Sequence, residues 1–235
     1  MEHKIDLAIG YTDDKGAVHR DVTFARRTSV KDMLLLDSNP MAQNVSQYEQ
    51  LIRRIMITKF GDLKCPVSLN VLAALDTYDD DALRRGAHTF IQLSREGREI
   101  DFLDGDECRL MFGVEIDGVT YDTVRFGRRL TVADNIEATN RGLDAGIGRL
   151  CFQIAKQIIE VKDSKTGLSF AGDFTADHLL NVDSQDLDGL RHAAEFFRLA
   201  PPQTREVISE GDSTNDSGDR KGDGLDGKGS DQSSG

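Results

Sequence analysis

The chain has 235 residues, 38% of them hydrophobic, with a formal net charge of −12 and a sequence pI near 4.8. An acid excess repels a phosphate backbone, and no run of Lys or Arg is longer than two, so nucleic acid is not an expected partner. No stretch approaches the roughly 18 apolar residues of a bilayer span, and the opening Met1-Glu2-His3-Lys4-Ile5-Asp6 lacks the layout of a signal peptide, so a cytosolic protein without a membrane partner is expected.

In chain order, Ile5, Leu7 and Ile9 alternate with polar or small residues, as in a half-buried strand. Asp13-Asp14-Lys15-Gly16 is a turn cluster, and Val22 and Phe24 alternate on the return strand. Ser29 followed by Asp32 is a helix-start signature, because the hydroxyl accepts from an orphan backbone N–H and the acid complements the helix dipole. Residues 45–60 carry Tyr48, Leu51, Ile52, Ile55 and Met56 at helical spacing. Leu69, Leu72 and Leu75 mark a short helix, Asp76-Thr77-Tyr78-Asp79-Asp80 breaks and caps it, and residues 82–95 form another helix. The acidic segment 101–107 reads as a linker.

The signals then return in the same order. Leu110, Phe112, Val114 and Ile116 make a strand, Asp117-Gly118 a tight turn, and residues 121–126 the partner strand. Thr131 and Asp134 start a helix, and residues 147–161 form an amphipathic one. Residues 176–182 and 187–199 form the closing helix pair, with Asp183 to Asp186 capping and Pro201-Pro202 ending the last helix. Residues 203–235, rich in Gly, Ser and Asp and without an aromatic, are expected to be disordered.

The correspondence extends to single residues. Gly16, Val22, Phe24, Arg26-Arg27, Val30 and Asp32 recur 102 positions on as Gly118, Val124, Phe126, Arg128-Arg129, Val132 and Asp134. Leu72, Leu75-Asp76, Leu83-Arg84, Ala87 and Phe90 recur 107 positions on as Leu179, Val182-Asp183, Leu190-Arg191, Ala194 and Phe197. The difference places a five-residue insertion around residues 163–173. The expected fold is therefore α+β: two tandem copies, residues 1–100 and 101–202, of a β-hairpin plus a three-to-four-helix module, then the tail. The two hairpins are expected to pair edge to edge in one four-stranded sheet, which would hide exposed strand edges.

No constellation points to catalysis. Cys65, Cys108 and Cys151 form no CxxC pair and read as idle reduced thiols. The five histidines do not occupy equivalent positions in the two copies, and none is spaced i, i+4 from another. The stretch 222–229 nearly spells a phosphate loop, but Gly229 stands where Ser or Thr belongs and no strand precedes it. No catalytic, cofactor-binding or metal-binding residue is expected, and no cofactor. The repeated Arg26-Arg27 and Arg128-Arg129 are the candidate partner-binding residues, since a guanidinium grips an acidic surface bidentately. Surface charges at strand ends are the plainer reading of the same residues.

The repeated pattern is a hairpin ending in Val-x-Phe-x-Arg-Arg, a [Ser/Thr]-Val-x-Asp helix start, a helix, a Leu/Val-Asp-x-x-Asp segment, and a helix with Leu-Arg, Ala and Phe. It resembles the small tail assembly chaperones of Mu-like, contractile-tailed phages and prophages, whose members usually carry one such module. The resemblance covers residues 4–97 and 108–200; the duplication and the tail depart from the family pattern. It implies a non-enzymatic protein of the host cytoplasm, absent from the mature virion, that binds the helical tape measure protein and helps recruit tail tube subunits. A structural tail or baseplate component, or a generic protein-binding adaptor, fits the same features. Homo-oligomerisation is left open.

Overall fold

A computed structural model describes residues 1–103 and 106–199. The expectations for Pro201-Pro202, the tail and the stretch 222–229 lie outside the described residues. In the first half, β1 (His3–Thr12) and β2 (Val18–Phe24) form an antiparallel hairpin. Its turn is built locally: the Asp13 carboxylate accepts from the Lys15 and Ala17 N–H groups at 2.9 and 2.8 Å, and Gly16 takes φ +81°. Helices α1 (Val30–Asp37) and α2 (Val45–Met56), strand β3 (Ile57–Phe60), and helices α3 (Leu69–Ala73) and α4 (Thr77–Arg95) follow. The sheet order is β1-β2-β3, antiparallel throughout.

The second half runs β4 (Asp101–Phe102), β5 (Glu107–Ile116), β6 (Val119–Phe126), α5 (Val132–Asn140), α6 (Gly146–Gln157), β7 (Ile158–Lys162) and α7 (Ser184–Leu199), with sheet order β4-β5-β6-β7. Apart from β4, a 3-10 turn at Pro40–Gln43 found only in the first half, and α3, where the second half has a 3-10 turn at Ala176–Leu179, the elements come in the same order as in the first half. Each half packs helices on one sheet face around its own core. Leu7, Val22, Phe24, Phe60, Leu83 and Phe90 centre the first, and Leu110, Val114, Val124, Phe126, Ile154 and Leu190 the second. The fold is α+β.

Four sequence expectations need correction. The two hairpins do not join in one sheet. Each takes a third strand from its own half, β3 on β2 and β7 on β6, so each inner strand is satisfied without the other hairpin. Those third strands were expected as the last turn of the long amphipathic helices. The chain leaves the helix at Ile57 and Ile158 because the β-branched runs Ile57-Thr58 and Ile158-Ile159 favour a pleated backbone, and an open hairpin edge lies within reach. Helices α4 and α7 begin at Thr77 and Ser184, earlier than residues 82 and 187, because the acidic segments form their first turns. Part of the segment read as a linker is strand β4, paired with Cys108 and Arg109 of β5.

Helix α1 crosses the division at residues 100 and 101. Val30, fully buried, belongs to the second core, with Met33 and Leu34 packed against it. The Val30 and Lys31 N–H groups donate to the Val182 and Leu180 carbonyls at 2.9 and 2.8 Å, and the Ser184 N–H donates to the Thr28 carbonyl at 2.9 Å. Asp37, at the end of α1, accepts from the Ile147 N–H at 2.9 Å, at the start of α6, whose own N-cap Ala145 supplies no side-chain acceptor.

Candidate partner-binding surface

One buried carboxylate fixes the frame of each half. β1 is bulged between Asp6 and Tyr11, and β5 between Arg109 and Val114. Gly10 and Gly113 sit in the bulges at φ +85° and +83°, and a Cβ there would lie 2.6 Å from the His19 carbonyl oxygen or 2.7 Å from that of Tyr121. Only glycine meets both demands. The bulge frees successive N–H groups from the ladder. Asp79 of α4 accepts those of Ala8, Ile9 and Gly10 at 2.9, 3.1 and 2.7 Å. Asp186 of α7 accepts those of Met111, Phe112 and Gly113 at 2.8, 2.8 and 3.0 Å. Both aspartates are fully buried. Burial pushes the Asp186 carboxyl above its ordinary range despite the three donors. Sequence reasoning read these acids as part of the helix caps. The usable signal was the second Asp of each Asp-x-x-Asp, repeated together with a glycine inside the first strand.

The repeated arginines fall into two roles. Arg26 pairs with Asp32 at 2.6 Å, and Arg128 with Asp134 at 2.7 Å. Each of these acids also closes a capping box with its hydroxyl neighbour, Ser29 or Thr131. The Thr131 hydroxyl, the Arg128 guanidinium and the Thr131 N–H together hold Asp134 down to about 2. Arg27 binds Asp183 across the junction at 3.0 Å, with its guanidinium 3.6 Å from the centre of the Phe112 ring. Burial pushes Asp183 up, and Arg27 and the Gln185 N–H work against it. Arg129 is exposed. The structure thus places Arg26 and Arg128 on helix caps, Arg27 in the junction and Arg129 at the surface; Arg26 and Arg27 line one hollow, which neither Arg128 nor Arg129 lines.

The junction leaves an apolar groove of about 550 Å³ between α1, α2 and α4, closed at one end by the start of α7. Its floor is Met33, Tyr48, Ile52, Met56, Ala87 and Ile91, with Glu49, Arg84, His88 and Asp188 at the edges. Arg53 lines it too: 7% exposed and paired with Asp80 at 2.8 Å, it has no hydrogen-bond partner for its Nε among the described residues. An apolar floor with thioethers and a charged rim suit an amphipathic helix, whose anchors at i, i+3 and i+4 bury while its polar face meets the rim. A second hollow of about 630 Å³ beside β7 is lined more heavily with charge, including Arg141, Lys156, Glu160, Asp173 and Asp177.

Cys108 and Cys151 are buried free thiols, pushed by burial to about 12 and about 11, so neither is poised as a thiolate. Among the described residues no group of three or more His, Cys, Asp or Glu is placed to hold a metal ion, and no helix is long and apolar enough to cross a membrane. No family model, curated protein or solved structure matches the chain.

Proposed function

We propose that the chain is a non-enzymatic tail assembly chaperone of the kind carried by Mu-like, contractile-tailed phages and prophages. Its client is the tape measure protein, whose long helices expose apolar stripes that aggregate when uncovered. The observation that carries the reading is the groove over Met33, Tyr48, Ile52 and Met56, which has the chemistry to cover one such stripe. The client reaches the tail tube subunits from this complex in the host cytoplasm, and the chaperone leaves before the virion is finished.

The test is co-expression with a long helical protein encoded nearby. The wild-type chain is expected to hold it soluble and to co-purify with it. Ile52→Asp, which puts a charge on the groove floor, is expected to lose most of that effect while keeping its own far-UV circular dichroism. A client equally insoluble with and without the chain would refute the proposal. So would this chain among the proteins of finished particles, which would make it a structural subunit.

A further inference from the structure

The backbone aligns the two halves residue by residue. Helices α2 and α6 both end where a short strand begins, and those strands pair with equivalent phenylalanines, Ile57 with Phe24 and Ile158 with Phe126. Asp79 of α4 and Asp186 of α7 bind equivalent bulges. The capping boxes of α1 and α5 are equivalent as well. These anchors give every residue of the apolar groove floor a counterpart in the second half.

The counterparts are polar. Met33 answers to Asn135, Tyr48 to Arg149, Ile52 to Gln153, Met56 to Gln157 and Ile91 to Arg198, while Ala87 keeps an apolar counterpart in Ala194. The polar set is also bonded to itself. Arg149 and Gln153 both donate to the Asn135 Oδ1 at 3.3 and 3.0 Å, and the Gln157 Nε2 donates to the Gln153 carbonyl at 3.1 Å. An apolar stripe laid on this face strips water from amide and guanidinium groups and returns no hydrogen bond. The duplicated module therefore keeps an apolar groove in its first copy and has replaced it in the second.

The two walls of the first-half groove differ in charge. Helix α2 presents Glu49, which is exposed and makes no ion pair among the described residues. Helix α4 presents Arg84 and His88, one turn apart. The Arg84 bond to Asp81, 2.8 Å long, joins two exposed side chains and so holds the guanidinium weakly. A helix lying between the walls meets an acid along one flank and a cation with an imidazole along the other. Turning that helix end for end exchanges its flanks, so the walls also set its direction.

We propose that the chain takes one amphipathic helix, in the first-half groove alone, with basic residues on the flank facing α2 and acidic residues on the flank facing α4. The inference rests on the reading of the groove as a helix site, and it adds the number of sites, the charge pattern of the partner and the direction of binding. Two modules then do not mean two client sites: the second half supports the groove through the start of α7 and leaves the binding to the first.

The test is isothermal titration calorimetry of the full chain at about 150 mM salt, where charges outside the contact are screened. The probes are three synthetic helical peptides with the same leucine stripe: one with Lys on one flank and Glu on the other, one with Lys on both, and one with Glu on both. The mixed peptide is expected to bind with one site per chain. Ile52→Asp is expected to weaken it at least about tenfold, since it buries a charge in the contact, whereas Gln153→Asp, the counterpart change, leaves site number and affinity at the wild-type values. Wild type is expected to prefer the mixed peptide to the all-Glu peptide by about threefold, the effect of one exposed ion pair, and Glu49→Lys, at an exposed position, to reverse that order. Two sites per chain, no binding of the mixed peptide, or an order that Glu49→Lys leaves unchanged overturns the proposal. One peptide per chain alongside a long client that stays insoluble supports the inference and refutes the tape measure assignment; two sites per chain alongside a client held soluble does the reverse.

Discussion

Replacing Asp186 by alanine removes the acceptor for three backbone N–H groups at once. The Gly113 N–H is buried, while those of Met111 and Phe112 are partly so. A buried donor left without a partner costs about 2 kcal/mol, and a donor that water can reach about half of that, for a gross loss of about 4 kcal/mol. Some is returned, because burial already disfavours the Asp186 charge, as its raised pKa shows. The net expectation is a loss of about 3 kcal/mol, a large share of the 5–15 kcal/mol that holds a domain together. Asp79→Ala, whose three donors are all only partly buried, is expected to cost a similar amount, about 3 kcal/mol. Urea unfolding followed by far-UV circular dichroism reads both. Because each half has its own core, two transitions can appear, and each variant should then shift the one belonging to its half. An Asp186→Ala variant within about 1 kcal/mol of wild type would show that the bulge donors find water at no cost, and would refute the clamp.

Two further outcomes follow from the arginines. Arg27→Ala leaves Asp183 buried without its ionic partner and is expected to cost about 2 kcal/mol in the same unfolding assay, whereas Arg129→Ala, at an exposed position, should cost less than about 1 kcal/mol. Asp134 has a folded pKa of about 2 against an ordinary 3.8, so its stabilisation is complete above 3.8 and is lost as pH falls toward 2. With Arg128 half exposed and screened, that contribution is about 1–2 kcal/mol. The stability gap between wild type and Asp134→Asn is therefore expected to be constant near neutral pH and to close between pH 4 and pH 2; a gap that widens on acidification would contradict it.

The amino-acid sequence alone determined what depends on near neighbours. The Asp13 and Asp117-Gly118 turns, the Ser29 and Thr131 capping boxes and the apolar faces of α2 and α6 were legible, because turn sterics, cap hydrogen bonds and helical period act over a few residues. Tyr48, Ile52 and Met56 could be read as one helix face, but not as the floor of a groove, because the groove is made only when α4 and the start of α7 close around them. The third strands were missed because a short apolar run at a helix end fits either state, and the choice goes to whichever edge is open. Asp79 and Asp186 looked like caps because their donors lie about seventy residues away. The sharpest case is Val30 and Val132, which sit in the same local motif and are buried and exposed respectively. Identical local chemistry gives both a helix start; only the presence of a facing surface, set by tertiary packing, gives one of them a partner.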